Sequence, residues 1–346
     1  NVSSSSNYLM FEPKPGYMLA PKSRYMVVVT DNLISKDNSS VVESFIFWLA
    51  RTPESLVDKS GKSNISLLTN DEASLLELLR QNYKPVFDGF EGNLTKIPRE
   101  RIKLLWTFTT QSIYDEMEEL RDALIFEDVT PEINEGSSVY TTNELIPELP
   151  ANFSYFNIKW IAKGTFKGMM VLGDPIASGN NFTLQGFKPK KIDGSIDWKE
   201  SSIPFILTIP DPEKHPTPFP LVIYQHGIFA SKEQMYSLAD SFASQGIAMI
   251  GIDAVYHGDR KLSSTKPSCI GFISENLFAT RDNFRQTALD ILQLFRVIKS
   301  ALPQFLDGKK PNLTDITIDI SNIFILGTSL GGIISSIVGA IQPDIK

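Results

Sequence analysis

Apolar positions recur along the chain in two different rhythms. Up to about residue 200, short runs of β-branched and aromatic residues are separated by polar, turn-rich stretches. Tyr25–Thr30, Ser44–Leu49 and Ile102–Thr109 read as strands, the second with Phe45, Phe47 and Leu49 on one face. Between the last two, Thr69 or Asn70 caps a helix whose apolar positions are Leu75, Leu76, Leu78, Leu79 and Tyr83. The Ser/Pro-rich residues 1–22 read as a leading loop. Ile113–Leu124 reads as a charged helical connector, and residues 126–150, acidic with several prolines, as a linker. Asn157–Phe187 returns to a strand pattern punctuated by Gly164, Gly168, Gly173 and Gly179.

From about residue 203 the rhythm changes. Ile203–Ile209, Leu221–Tyr224, Ile247–Ile252 and Ile323–Leu326 are nearly continuous apolar runs, each short enough for one strand. Helical patterns separate them. One opens with the capping-box pair Ser231 and Gln234 and continues with Met235, Leu238, Ala239 and Phe242. A longer one, from about Asp282 to Ala301, carries Phe284, Ala288, Ile291, Leu292, Phe295 and Ile298 at spacings of three and four. Apolar strands alternating with helices predict an α/β domain built on a parallel sheet covered on both faces. The pattern divides the chain into a β-rich region with an inserted helix (1–125), a linker and β-rich connecting segment (126–200), and the α/β domain (201–346).

Composition adds limits. The 346 residues are 42% hydrophobic and 21% charged, enough to bury a core in each of two domains. A net charge of -7 argues against nucleic acid as a partner. The single cysteine, Cys269, has neither a disulfide partner in the chain nor the Cys/His company of a zinc site. No metal or organic cofactor is expected. From Ile323 to Gln342 no residue is charged, which imitates a membrane span, but Gly327-Thr328-Ser329-Leu330-Gly331-Gly332 in its middle fits a buried strand–turn–helix better. Asn-x-Ser/Thr triplets begin at Asn1, Asn38, Asn64, Asn93, Asn152, Asn181 and Asn312, as an Asn- and Ser-rich chain produces by chance.

The chemistry lies where the apolar strands end. Gly327-Thr328-Ser329-Leu330-Gly331 is a G-x-S-x-G sequence between a strand and a helix, a turn that exposes the serine and places a helix N-terminus behind it. Ser329 is the expected nucleophile. His226-Gly227-Ile228-Phe229 follows an earlier strand, where a backbone N–H can complete an oxyanion hole with the residue after the nucleophile. Ile228 and Leu330 are the expected donors, with Phe229 the alternative if the loop is offset by one. His226 is expected to brace this loop. Asp253, His257 and Arg260 follow the next strand and are expected to order their loop. The histidines are His215, His226 and His257, all before Ser329, and His215 stands in a Pro-rich stretch that reads as an exposed loop. In a triad that runs serine, acid, histidine along the chain, the acid and the base are expected after Lys346, and residues 1–346 alone are expected to be inactive.

Pro220–Ile228, Ile252–Arg260, Arg281–Gln286 and Gly327–Gly332 resemble the extracellular lipases of the bacterial virulence-factor lipase family, and Ala20–Thr30 and Trp106–Ser112 resemble their N-terminal region. The resemblance runs from about residue 15 to 342. It implies an α/β-hydrolase fold behind a β-rich, Ig-like sandwich. It also implies a secreted or cell-surface esterase of acyl lipids, lysophospholipids among them, with peripheral contact to lipid surfaces. Ser329 carries over as nucleophile and Ile228 as oxyanion donor, while Arg281 and Asn283 take a structural or pocket-lining role. A serine peptidase and a non-catalytic surface binding protein are the alternatives that the residues leave open.

Overall fold

The computed structural model describes residues 12–35, 38–91, 97–112, 114–151, 153–179, 181–310 and 318–346. Asn1, Asn93, Asn152 and Asn312 of the Asn-x-Ser/Thr triplets, Ile113 of the connector and the first half of the leading loop lie outside them. The chain forms two compact units, Asn1–Ile113 and Tyr114–Lys346.

In the first unit, β1 (Arg24–Thr30) and β2 (Ile102–Thr109) pair antiparallel, with Val28 opposite Leu105. Two helices, α1 (Phe45–Arg51) and α2 (Asn70–Gly89), complete it. Phe47, Phe87, Phe90, Ile102 and Leu105 form its core. The described residues hold this one two-stranded ladder, so the expected Ig-like sandwich is corrected to a small α+β unit. The misread segment is Ser44–Leu49. A short run that is apolar at every position fits either period. Here Ser44 accepts the Phe47 N–H at 3.2 Å and starts a helix that buries Phe47, Leu49 and Ala50 while exposing Phe45, Ile46 and Trp48. The α2 start follows the sequence reading, with a reciprocal capping box between Thr69 and Glu72. Glu77 and Arg80 form a buried bidentate pair that also receives the Leu56 N–H. The Arg80 hydrogen bonds hold the Glu77 carboxyl down at about 2.

The second unit is built on a six-stranded sheet. Its strands are β3 (Ser138–Thr141), β4 (Ile158–Met170), β7 (Lys199–Pro210), β8 (Phe219–Gln225), β9 (Ala248–Ile252) and β10 (Ile318–Gly327). They lie in the order β10-β8-β9-β7-β4-β3. A separate hairpin pairs β5 (Ile176–Ser178) with β6 (Asn181–Thr183). β10, β8 and β9 are parallel, but β7 is antiparallel to both β9 and β4, so the expected parallel sheet is a mixed one. The stretch read as linker and connecting segment supplies β3 and β4 to this sheet, and the unit begins near Tyr114 rather than at residue 201. What placed β4 there is its burial of Trp160, Ile161, Ala162 and Phe166.

Neighbouring strand residues point to opposite faces, and both faces are covered. Leu221, Ile223, Ala248 and Ile250 pack with α3 (Asp115–Phe126), α6 (Leu277–Leu306) and α7 (Leu330–Ile341). Val222, Tyr224 and Met249 pack on the other face with α5 (Tyr236–Ala243) and Leu145 of α4 (Thr142–Leu145). Beyond α7 the chain turns back, and Lys346 exchanges backbone hydrogen bonds with Ile323 and Ile325 on the outer edge of β10. No helix among the described residues is long and apolar enough to cross a membrane; the uncharged stretch is the end of β10 plus α7.

The helical reading of residues 45–51 has a direct test. Ser44→Ala should lower the stability of the first unit by about 1 kcal/mol through loss of the cap, measured by urea unfolding followed at Trp48. No change would point back to a strand.

Candidate active site

The Ser329 turn is set by contacts that leave no room for side chains. A Cβ added at Gly331 would stand 2.0 Å from the Gln225 carbonyl oxygen and 2.8 Å from that of His226. One added at Gly327 would stand 2.1 Å from the Gly331 oxygen. With both glycines in place, the first turn of α7 lies directly against the end of β8, and Thr328 N–H bonds to Gln225 O at 3.1 Å. The chain must reverse within two residues. Ser329 adopts φ 53° and ψ -113°, a conformation costly for an L-residue, and its side chain remains exposed.

The loop after β8 lies against this turn. The Cβ position at Gly227 is 3.5 Å from Ser329 Cβ and 3.3 Å from Thr328 O. Among the described residues, neither the Ile228 N–H nor the Leu330 N–H has a hydrogen-bond acceptor. The Phe229 N–H faces the Cys269 thiol; burial raises that thiol and this N–H partly offsets the rise. Of the two loop donors considered from sequence, neither Ile228 nor Phe229 has a backbone acceptor for its N–H among the described residues.

A polar layer beneath the loop holds it in place. Tyr224 bonds through its hydroxyl to Thr328 Oγ1 (3.0 Å) and Gln234 Oε1 (3.1 Å), and Gln234 Oε1 also accepts the Gly227 N–H (2.9 Å). One amide therefore ties the glycine loop to the serine turn. The sequence placed Gln234 in a capping box. Instead, Ser231 bonds to Glu233, and residues Lys232–Met235 form a 3-10 turn that sends Gln234 to the loop. The residues missed from sequence are Tyr224, Gln234 and Thr328; the clue was a polar-tipped residue at the end of an apolar strand.

His226 and His257 are fully buried, with ring centroids 5.0 Å apart. His226 Nδ1 bonds to Gly227 O (2.8 Å), and its Nε2 accepts the Ala254 N–H (3.0 Å), so both ring nitrogens are engaged in joining the β8 and β9 loops. His257 Nδ1 bonds to Val255 O (2.9 Å), and its Nε2 has no partner. Burial lowers both, His257 to about 4, so the pair is neutral at neutral pH. Asp253 is occupied by Lys232: its carboxylate takes the Lys232 N–H (2.8 Å), the Lys232 ammonium (2.9 Å) and the Asp259 N–H (3.0 Å). Burial opposes the Lys232 charge, but Asp253 and Asp259 outweigh it and raise its pKa. Arg260 bonds to Asp253 O (2.9 Å) and pairs with buried Asp290 on α6 (2.6 Å).

Arg281 and Asn283 stand at the start of α6. Asn283 donates to the Gly271 and Phe272 carbonyls, while Arg281 pairs with Asp282 and lies over Phe278. His215, expected on an exposed loop, is half-buried against Gly246, in the β7–β8 connection and away from the strand ends that carry the serine. Among the described residues no cluster of His, Cys, Asp and Glu is arranged to hold a metal.

No family model matches the chain. A Bacillus subtilis (strain 168) protein described as "Uncharacterized protein YqbB" is 29% identical over 142 residues, which are 38% of this chain and 44% of that protein. The chain thus spans less than half the length of the curated relative it matches. Among solved structures, an acetyl xylan esterase from Paenibacillus sp. R4 is similar at 16% identity and a TM-score of 0.39, over 68% of this chain and 58% of its own. A cold-adapted esterase from an Arctic intertidal metagenomic library is similar at 16% identity and a TM-score of 0.29, over 54% and 58%. A dienelactone hydrolase from Klebsiella pneumoniae is similar at 17% identity and a TM-score of 0.28, over 42% and 52%. Likeness this distant decides neither fold nor activity, which rest on the geometry of this chain.

Two outcomes are expected from that geometry. Gly331→Ala, which drives a Cβ into the Gln225 carbonyl, should cost at least about 2 kcal/mol, whereas Gly339→Ala on the same helix meets nothing within 4 Å and should be neutral or stabilising; urea midpoints compare them. The second concerns acid. Because His257 is held near 4 against an ordinary 6.5, the unfolded chain binds more protons between those values. Stability should therefore be complete above pH 6.5 and fall as pH drops toward 4, by roughly 3 kcal/mol from this residue. His257→Phe should flatten that slope in unfolding measured across the window.

Proposed function

We propose that this chain carries the nucleophile and oxyanion hole of a serine carboxylic-ester hydrolase of the α/β-hydrolase type. The observation that carries the reading is the Ser329 turn: an exposed serine at φ 53°, held between glycines that admit no side chain, with two uncommitted backbone N–H groups beside it. Strain at a single exposed hydroxyl residue is characteristic of functional positions, and the N-terminus of α7 behind it favours developing negative charge.

In this reading Ser329 Oγ attacks the acyl carbonyl carbon, and the carbonyl oxygen, now negative, is held by the N–H groups of Ile228 and Leu330. The hydroxyl proton passes to a histidine and then to the departing alkoxide; water repeats the sequence to release the acid. His226 is unsuited to the proton transfer because both its nitrogens are engaged. His257 is buried and serves its own loop. The reading assigns Ser329, Ile228 and Leu330, and takes none of His215, His226 and His257 as the base. His226, Gly227, Asp253, His257 and Arg260 position the loops. The reaction as drawn uses no metal or organic cofactor.

Acyl lipids are the proposed substrate class, as the resemblance to secreted bacterial lipases implies. Exposed Phe229, Ile270 and Ile273 on the loops beside Cys269 support it, since large apolar side chains left in water suit an acyl chain or a lipid surface. A secreted or cell-surface location belongs to the same reading.

The test is fluorophosphonate labelling and p-nitrophenyl ester hydrolysis by the full-length gene product. Ser329→Ala should abolish labelling and reduce kcat/KM at least about a thousandfold, with peptide substrates inert throughout. Full-length protein that resists the label would defeat the proposal in favour of a binding protein on a hydrolase scaffold. Peptide cleavage without ester cleavage would defeat it in favour of a peptidase.

A further inference from the structure

The hydrogen bonds between the glycine loop and the serine turn have a direction that their chemistry fixes. The Gly227 N–H can only donate, so the Gln234 atom 2.9 Å from it is the amide oxygen, which can only accept. Tyr224 Oη lies 3.1 Å from that same oxygen and therefore gives it its single proton. The 3.0 Å contact of Tyr224 Oη with Thr328 Oγ1 must then run from the threonine hydroxyl to the tyrosine. The order is Thr328 O–H to Tyr224 O–H to the Gln234 oxygen, which the Gly227 N–H meets from the other side. No link can reverse without setting two donors or two acceptors face to face.

The members come from three elements. Tyr224 is buried at the end of β8, Thr328 is exposed just before the nucleophile, and Gln234 is half-buried in the turn that leads to α5. Gly227 directly precedes Ile228, and Thr328 stands two residues before Leu330. The linked groups thus reach from one side of the proposed oxyanion hole to the other. The Gly227 carbonyl is taken up locally, by His226 Nδ1 and the Ala230 N–H, whereas its N–H leads toward the serine turn.

We propose that Gln234 is a positioning residue for the oxyanion hole: through Gly227 on one side, and through Tyr224 and Thr328 on the other, it sets the separation of the Ile228 and Leu330 N–H groups. This rests on the ester-hydrolase reading of Ser329 and adds to it a residue that acts through others. Donors held in place beforehand need no reorganisation as charge develops on the substrate oxygen. Slack between them therefore costs rate rather than binding. Acylation and deacylation both form an oxyanion, so both slow together and KM is preserved.

The experiment measures p-nitrophenyl ester hydrolysis by the full-length gene product, with urea midpoints taken in parallel. Gln234→Met keeps the length of the side chain and removes the acceptor; kcat should fall about tenfold or more, with KM changed by less than about twofold. Thr328→Val should show the same split with a smaller fall, and Thr328→Ser, which keeps the hydroxyl, should match the wild type. Because both ends belong to one chain of bonds, the double variant Gln234→Met/Thr328→Val should fall no further than Gln234→Met alone, whereas independent structural effects would multiply. Unchanged kcat in Gln234→Met, a loss carried by KM, or multiplied losses in the double variant would overturn the proposal and leave the ester-hydrolase reading standing. Wild-type protein without ester turnover would overturn both.

Discussion

The carbonyl oxygen of Gln225 occupies the space that any side chain at position 331 would need. This contact fixes the distance between α7 and the end of β8, and much of the candidate site follows from it. The helix can approach that closely only if the chain leaving β10 reverses without an intervening loop, which forces Ser329 into positive φ. The same approach brings Thr328 within reach of Tyr224 and sets Gly227 against Ser329. The strain of the serine turn is thus offset by packing elsewhere rather than relieved locally.

Around that contact, polar groups link the strand ends in series. Gln234 joins the β8 loop to the serine turn, His226 joins it to the β9 loop, Lys232 and Asp253 repeat that link, and Arg260 carries it to α6 through Asp290. Each member is substantially buried, so each is valuable only when its partner is present. Phe229, Tyr256, Cys269 and Ser329, all in turns of this region, share positive φ. Rigid, over-determined loops suit a site whose hydrogen-bond donors must stand ready before a substrate arrives.

Residues close in sequence revealed the serine turn and the loop beside it. Gly327–Gly331 announced a tight turn because only glycine satisfies both steric limits, and His226-Gly227 announced a loop close to another backbone. Neither signal needs a distant partner to be read. Gln234 misled for the opposite reason: its spacing from Ser231 matches a helix cap, but Gly227 and Tyr224 offer its amide oxygen better partners. Phe45–Leu49 misled because uniform apolarity contains no period, and the packing of Phe47 against Phe87 selects the helix.

By itself, the sequence determined where the strands and helices of the second unit alternate, which glycines permit a reversal, and which serine that reversal exposes. These are matters of local sterics and periodicity, both written in neighbouring residues. The tertiary structure alone decided that β7 runs against β9, that residues 126–200 contribute β3 and β4, and that a lysine, an arginine and two histidines lie buried under the loops. Pairing direction depends on how each connection returns the chain. The burial of a charge depends on a partner, and Asp290 stands 30 residues from Arg260. No local pattern records such a partnership.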